Sequence, residues 1–322
     1  MVQLNINNNY YLYMGIKNLY KFIEKYCPKA ITITNIKKYQ NKIIAIDTNL
    51  LIYKIVYAIR KNGYDIKNND KIITHIHGLL LKFKSFKKYN ITPVFVFDGK
   101  QPEIKYKELD KRKKIWLKMA EKYKTATTDE DKKKYYYLKA DITDKEIDDC
   151  FNLIKIFGYQ IINSPEEADT QLAYLSKNNL VDYIASDDMD ILLFGGEILL
   201  KKFSTSSKNT VTQEINLYIM KQELGFTQND LIKLGVLLGS DYCDNSSISI
   251  NKAYKIIKNI DIDDNEILKY CEQAIQHFKH PKNKKITKIT TGKLSEHDLI
   301  IFLKKFDYSD DEINKLLLEF FN

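Results

Sequence analysis

The sequence predicts an α/β fold, a mainly parallel central sheet flanked by helices, and three observations predict it. Residues 42–46, 93–97 and 179–185 are short, largely apolar runs that read as strands rather than helices. Each stops in acid, the first at Asp47, the second at Asp98, and the third at Asp187, Asp188 and Asp190. Two helical segments separate the first two runs, and a strand, helix, helix, strand order requires crossovers and a parallel sheet.

An ionised carboxylate cannot follow its strand into a core, so these acids belong at the mouth of the sheet. Ligands of open α/β sheets gather at the carboxyl ends of the strands, and three such strands side by side would pool their acids. Two carboxylates about 4 Å apart repel by roughly 4 kcal/mol at an effective dielectric near 20. Hard divalent cations relieve that repulsion, and an oxygen-only donor set favours Mg²⁺ or Mn²⁺ over zinc. The competing reading makes each Asp the cap of the helix that follows its strand. That reading suits any single acid better than it suits the set.

The chain has 322 residues, enough for a large core, and a net charge of +9. A basic protein with an acidic pocket suggests a polyanionic substrate held by the surface and cut in the pocket. Cys27, Cys150, Cys243 and Cys271 have no C-x-x-C spacing and read as reduced structural thiols without a disulfide framework. His75-x-His77 and His277-x-x-His280 lack partner cysteines, which argues against zinc. No apolar stretch approaches the roughly 18 residues of a membrane span and no signal peptide is visible, so the expectation is an intracellular protein with no membrane partner. The lack of a P-loop or a G-x-G-x-x-G leaves nucleotide-driven and dinucleotide chemistry without support.

Taken in order, residues 1–13 form a polar, Asn-rich extension read as disordered. Residues 14–23 carry apolar side chains at helical spacing, a short helix closed by Pro28. Residues 50–60 and 72–89 read as the two helices between the first strands. The composition of 103–146 differs sharply: Lys105, Lys107, Lys111, Arg112 and further lysines interleave with Tyr106, Trp116 and Tyr123. This is either a solvated charged hairpin or a basic arm over the pocket, and Lys105 and Arg112, seven apart, share one helical face. Residues 147–157 read as a helix and 159–162 as a strand. Ser164-Pro165-Glu166-Glu167-Ala168-Asp169 has the Ser cap, first-position Pro and first-turn acids of a helix start, and spacing alone pairs Glu166 with Asp169. The apolar helix 231–238 ends in Gly239-Ser240-Asp241-Tyr242, which places another Asp at a helix end. Asp261, Asp263, Asn265 and Glu272 match part of a calcium-loop spacing, but Glu266 stands where that loop needs Gly, so a capped helix is the reading there.

These segments together give the chain a resemblance to the structure-specific 5′ nucleases of the flap endonuclease family. Carrying it are Met14-Gly15-Ile16, Ile46-Asp47 with Tyr53 and Arg60, Val94-Phe95-Val96-Phe97-Asp98-Gly99-Lys100, Glu167-Ala168-Asp169, Asp187-Asp188-Met189-Asp190 and Leu238-Gly239-Ser240-Asp241-Tyr242, in family order. The resemblance implies a PIN-like nuclease core over 14–246, a helical arch at about 103–146, and a helix-hairpin-helix-like DNA-binding region over 247–322. By the family pattern Asp47, Asp98, Glu167, Asp169, Asp188, Asp190 and Asp241 hold two Mg²⁺ ions, for which Mn²⁺ can substitute. This choice replaces Glu166 by Glu167 and implies that Glu167 precedes regular helix. Lys105 and Arg112 correspond to arch residues at the scissile phosphate, Tyr53 to the aromatic that stacks on a base, and Arg60, Lys82, Gly239, Lys252 and Lys255 to DNA contacts.

The implied activity is hydrolysis of DNA at 5′ flaps or 5′ ends in replication and repair, by a monomer at the site of DNA replication. The rivals are a 5′-3′ exonuclease of the same superfamily and a non-catalytic DNA-binding scaffold, which would have no need of seven mutually repelling carboxylates. Three departures from the pattern stand out. Thirteen residues precede Met14. The glycine-rich hairpin expected after Asp241 reads Ser247-Ile248-Ser249-Ile250-Asn251-Lys252-Ala253, so Lys252, Lys255 and Lys258 are expected to take over part of the duplex phosphate contact from a K⁺ site. Asn314-x-x-Leu317-x-x-Phe320-Phe321 echoes a sliding-clamp motif but lies in an apolar terminal helix and reads as core.

Overall fold

Alternate residues of the central strands face different cores. Ala45, Val94, Val96, Ile184 and Leu199 bury on one side, and Ile44, Ile46, Phe95, Phe97, Ala185 and Leu200 on the other. Period-two side chains of a sheet covered on both faces must divide in this way. The computed structural model describes residues 15–16, 18–138, 142–204, 211–243, 248–258 and 265–321.

The strands are β1 (Ile31–Thr34), β2 (Ile43–Asp47), β5 (Thr92–Phe97), β6 (Gln160–Asn163), β7 (Tyr183–Ala185), β8 (Ile198–Lys201) and β9 (Thr212–Asn216), with β3 (Lys67–Asn68) and β4 (Lys71–Ile72) as a separate small ribbon. Their order is β1-β9-β8-β7-β2-β5-β6. The stretch from β8 to β6 is parallel, while β9 pairs antiparallel with both β8 and β1. The three acid-ended strands β7, β2 and β5 are immediate neighbours, as the sequence predicts. From β2 the chain builds outward to β5 and β6 on one side and to β7 and β8 on the other. Their acids therefore stand where the strand order reverses.

The helices are α1 (Leu19–Tyr26), α2 (Thr48–Arg60), α3 (Thr74–Lys88), α4 (Tyr106–Thr125), α5 (Asp129–Leu138), α6 (Asp144–Ile156), α7 (Ala168–Lys177), α8 (Asp190–Leu193), α9 (Leu217–Leu224), α10 (Gln228–Leu238), α11 (Ile250–Ile257), α12 (Asn265–Tyr270), α13 (Glu272–Lys279), α14 (Glu296–Lys305) and α15 (Asp310–Phe321). Local chemistry sets many of their ends. Thr143 and Glu146 form a capping box on α6, Thr227 and Asp230 form one on α10, and Gly225 closes α9 in the left-handed region at φ 63°. Side chains of α1, α7, α10 and α13 fill the first core, and those of α2, α3, α6, α14 and α15 fill the second. The α4–α5 hairpin meets the body through α5, where Tyr136 donates to Asp65 beyond the end of α2, and α4 has no buried residue.

Three readings change. Ser164 and Pro165 do not open a helix: α7 begins at Ala168 with Glu167 as its cap residue, and Ser164 Oγ instead donates to the Glu167 carbonyl at 2.9 Å. Strands β1, β8 and β9 escape sequence reading because they are short and β9, Thr-Gln-Glu-Ile-Asn, is mostly polar. Cys243 and Cys271 are joined by a disulfide, with Cα atoms 5.6 Å apart, because the packing of α10 on α13 brings together residues 28 apart in sequence. Only Cys27 and Cys150 remain as buried thiols. Both cores also draw on residues beyond 247, since Ala274 and Phe278 lie in the first and Leu303 and Phe320 in the second. Residues 1–13, Ser247, Asp261 and Asp263 lie outside the described residues.

Candidate active site

Asp47 ends β2 and does two jobs. One oxygen accepts from the Leu50 amide at 3.0 Å and caps α2, and the other accepts from Ser186 Oγ at 3.0 Å. Capping and site membership are thus not alternatives here. The same Ser186 Oγ accepts from the Asp188 amide at 3.1 Å, so it couples the mouths of β2 and β7. Asp188 in turn accepts from the Asp190 amide at 2.8 Å. Beyond β5, Asp98 accepts from the Ala168 amide at 2.8 Å, which fixes the start of α7 and with it Glu167 and Asp169. Asp241 arrives from the end of α10 through Gly239, whose φ of 98° turns the chain.

Six of the seven acids are partly or fully removed from solvent, and Asp98 is the exposed one. Burial, followed by the charge of Asp98, pushes Asp47 up to about 7. Burial raises Asp188 to about 6 even though Lys105 opposes the shift. Asp169 and Asp190 are driven well above the carboxylate range by burial first and by the charge of Asp188 next. Both oxygens of Asp190 and one of Asp169 are buried without a hydrogen-bond partner. Such groups carry a penalty unless something else meets them.

Two cations reach in from the arch. Lys105 is only 4% exposed, binds Glu167, stands 4.0 Å from Asp241, and lies 5.2 Å from the centre of the Tyr242 ring. Burial works against its charge, but Glu167 and the neighbouring acids outweigh it and hold its pKa up. Arg112 pairs with Asp241 and with Glu108 at 3.5 Å. Among the described residues no three His, Cys, Asp or Glu side chains are gathered tightly enough to hold one ion. The donor set nevertheless fits hard divalent cations: it is all oxygen, seven acids face two cations, and three buried oxygens are unpartnered.

Several roles were invisible in sequence. Tyr242 donates to Glu167 at 2.6 Å and fixes the carboxylate beneath Lys105. Gly15, at φ 79°, lies so close that a Cβ would meet Asp188 Oδ1 at 2.1 Å, which gives the Met-Gly-Ile segment a physical reason. Asp187 turns away to Lys54 at 2.6 Å, and Glu166 turns away to Lys282 at 2.8 Å. Of the spacing pair, only Asp169 enters the site.

The expected DNA contacts divide. Tyr53 is half-buried on α2, and Lys252 and Lys255 are exposed on α11. Lys82 is half-buried near Lys54, and burial followed by the charge of Lys54 lowers it to about 8. Arg60 is buried, with ion pairs to Asp65 at 2.8 Å and to Glu146 of α6 at 3.1 Å. The Lys258 ammonium donates to the Leu224 carbonyl and lies over Phe226. Asn251 is not a turn residue but sits in α11, accepting from Lys25 at 2.6 Å and Tyr26 at 2.9 Å.

Comparison with known proteins gives a consistent picture. Residues 14–118 match the XPG N-terminal domain and 158–241 the XPG I-region. The chain is 32% identical over 259 residues to flap endonuclease 1 of Enterocytozoon bieneusi, covering 79% of this chain and 72% of that one. Among solved structures, the catalytic core of Rad2 in complex with DNA substrate superposes with a TM-score of 0.69 at 21% identity, over 94% of this chain and 99% of the other. Flap endonuclease-1 from Methanococcus jannaschii gives 0.69 at 24% identity, over 91% and 95%. At those identities the structures speak for the fold.

Proposed function

The chain belongs to the XPG and flap endonuclease family of nucleases, and we propose that it is a metal-dependent, structure-specific nuclease that hydrolyses DNA at 5′ flaps or 5′ ends during replication and repair. The convergence of Asp47, Asp98, Glu167, Asp169, Asp188, Asp190 and Asp241 at adjacent strand and helix ends, facing Lys105 and Arg112, carries this reading. These seven acids would hold the divalent ions. When bound, such ions favour attack by water and stabilise the leaving oxygen.

The chain's own residues account for the rest. Lys105 and Arg112 now rest on Glu167 and Asp241. Cations in those positions can offset the negative charge that grows on a phosphoryl group in the transition state. Tyr242 keeps Glu167 oriented, and Ser186 keeps Asp47 and Asp188 in register. Lys252 and Lys255 offer phosphate contacts that position a duplex without reading sequence. A phosphate beside Lys82 would restore the proton that burial weakens. Arg60, engaged with Asp65 and Glu146, is left out of the DNA face.

The test is a divalent-metal titration on labelled 5′-flap, nicked, single-stranded and RNA substrates. Endonucleolytic products from the flap in Mg²⁺, with a 5′ phosphate on the new end, are expected. A ladder of short products from blunt duplex would instead assign a 5′-3′ exonuclease. Binding with no cleavage in Mg²⁺ or Mn²⁺ would leave only a scaffold.

A further inference from the structure

Residues 279–295 read Lys-His-Pro-Lys-Asn-Lys-Lys-Ile-Thr-Lys-Ile-Thr-Thr-Gly-Lys-Leu-Ser, with six lysines and no acid. The segment between α13 and α14 has no regular secondary structure, yet it is pinned along its length. Thr170 Oγ1 donates to the Lys282 carbonyl at 3.2 Å, and the fully buried Gln171 both donates to the Lys284 carbonyl at 3.0 Å and accepts from its amide at 2.7 Å. Further along, Gln160 accepts from the Thr290 amide at 3.1 Å and the Gly292 amide donates to the Gly158 carbonyl at 2.7 Å. Ile286 and Ile289 pack on the core. The strap thus follows α7 from beside Asp169 to the edge strand β6.

Its lysines point elsewhere. Lys282, Lys284, Lys285, Lys288 and Lys293 are exposed, and among the described residues only Lys282 meets an acid, Glu166 at 2.8 Å. Lys282 also borders an open cleft of about 580 Å³ at the foot of the arch, shared with Lys100, Pro102, Glu103 and His277. A row of like charges held on an immobilised backbone repels itself, and a polyanion laid along it relieves that repulsion while releasing its own counterions. From Lys282 to Lys293 an extended chain spans at most about 36 Å, the length of several nucleotides. No Phe, Tyr or Trp lies in the strap, so it offers charge to a backbone rather than a stacking platform.

We propose that this strap is a track for the single-stranded 5′ arm of the substrate, gripping its phosphates without reading its bases after the strand leaves the arch foot. The proposal rests on the nuclease reading above for the identity of the strand. A single strand fits better than an acidic polypeptide because the track begins at the arch foot, where Lys282 meets Glu166 and the first turn of α7, the turn that also carries Asp169.

The test compares two substrates with the same duplex, one whose 5′ arm ends within the arch and one whose arm extends well past it. Binding is measured by anisotropy with a chelator present, for the full chain and for a variant carrying K284Q, K285Q, K288Q and K293Q. The wild-type chain should bind the long arm roughly tenfold tighter, with a salt slope steeper by about 2 to 3 at roughly 0.7 per phosphate. The variant should bind both arms alike and cleave the short-arm substrate at the wild-type rate. A long-arm advantage absent from the wild type, or kept by the variant, overturns the track. So does loss of polyglutamate binding with the long-arm advantage intact, which would point to an acidic protein partner. Failure of the wild type to cut either substrate in Mg²⁺ would sink the nuclease reading, while the arm-length comparison is read without cleavage.

Discussion

Asp190 is fully buried and neither of its oxygens finds a hydrogen bond, which makes it the sharpest single-residue probe of the site. If the acids hold the reacting ions as proposed, Asp190→Ala or Asp98→Ala should cut cleavage by roughly three orders of magnitude or more while leaving the dissociation constant for DNA little changed, because basic surface supplies affinity. Near-normal turnover by either variant would sink the ligand assignment. Lys105→Ala and Arg112→Ala should each lower the single-turnover rate by roughly a hundredfold with a much smaller effect on affinity, since charge on the phosphoryl group grows only toward the transition state. If affinity alone fell, these residues would be a grip. The acids also set a pH dependence. Asp47 near 7 and Asp188 near 6 lie above the roughly 3.9 of an unfolded Asp. The folded chain therefore binds more protons than the unfolded chain between about pH 4 and 7, and metal-free stability should fall as pH rises through that window. The expected Tm is several degrees higher at the acid end, with Mg²⁺ recovering much of the loss at the alkaline end. Scanning calorimetry with and without Mg²⁺ checks both, and a metal-free Tm that rises with pH would contradict the cluster.

Among the elements, the region after α10 holds the least expected feature. The disulfide between Cys243 and Cys271 closes a loop that contains α11, and Cys243 stands two residues from Asp241. A closed loop of this size constrains the unfolded chain by about 3.5 kcal/mol. Cys271→Ser, or treatment with reductant, should lower Tm by several degrees and make the segment between α10 and α13 more sensitive to limited proteolysis. An unchanged melting curve on both treatments would mean that the bridge adds no stability. The other ties on α11 are noncovalent: Asn251 to Lys25 and Tyr26, the stacking of Tyr26 on Tyr254 with ring centres 4.2 Å apart, and Lys258 on α9. Lys252 and Lys255 are exposed on this helix. How α11 presents its lysines depends on these distant partners.

Across the whole molecule, two cores on either face of one sheet join the terminal helices to the nuclease part. Phe320 of α15 packs edge-on against Phe157 with ring centres 4.7 Å apart, in the core shared with Phe83 and Phe95. Phe320→Ala should therefore cost about 3–5 kcal/mol of stability, measured by denaturant unfolding. A clamp-binding role for the motif ending in Phe320-Phe321 would predict instead a nearly unchanged fold and the loss of one partner. Ile313 and Leu316 are buried beside Phe320, so the helix is held by its apolar face. Among the described residues no helix is long and apolar enough to cross a membrane.

The sequence by itself determined the α/β class and the three acid-ended strands, because strand burial and the cost of burying charge are local and period-bound properties. Apolar runs ending at Asp47 and Asp98 can hardly be read otherwise. Helical spacing paired Glu166 with Asp169 and the resemblance chose Glu167; in the fold Glu166 binds Lys282 and Glu167 binds Lys105. Tertiary structure alone decided that Arg60 turns inward to Asp65 and Glu146, that Cys243 meets Cys271, that Tyr242 orients Glu167, and that a lysine-rich strap lies pinned along α7. Each of these joins residues far apart in the chain, through side chains whose partners are chosen by packing rather than by any period in the sequence.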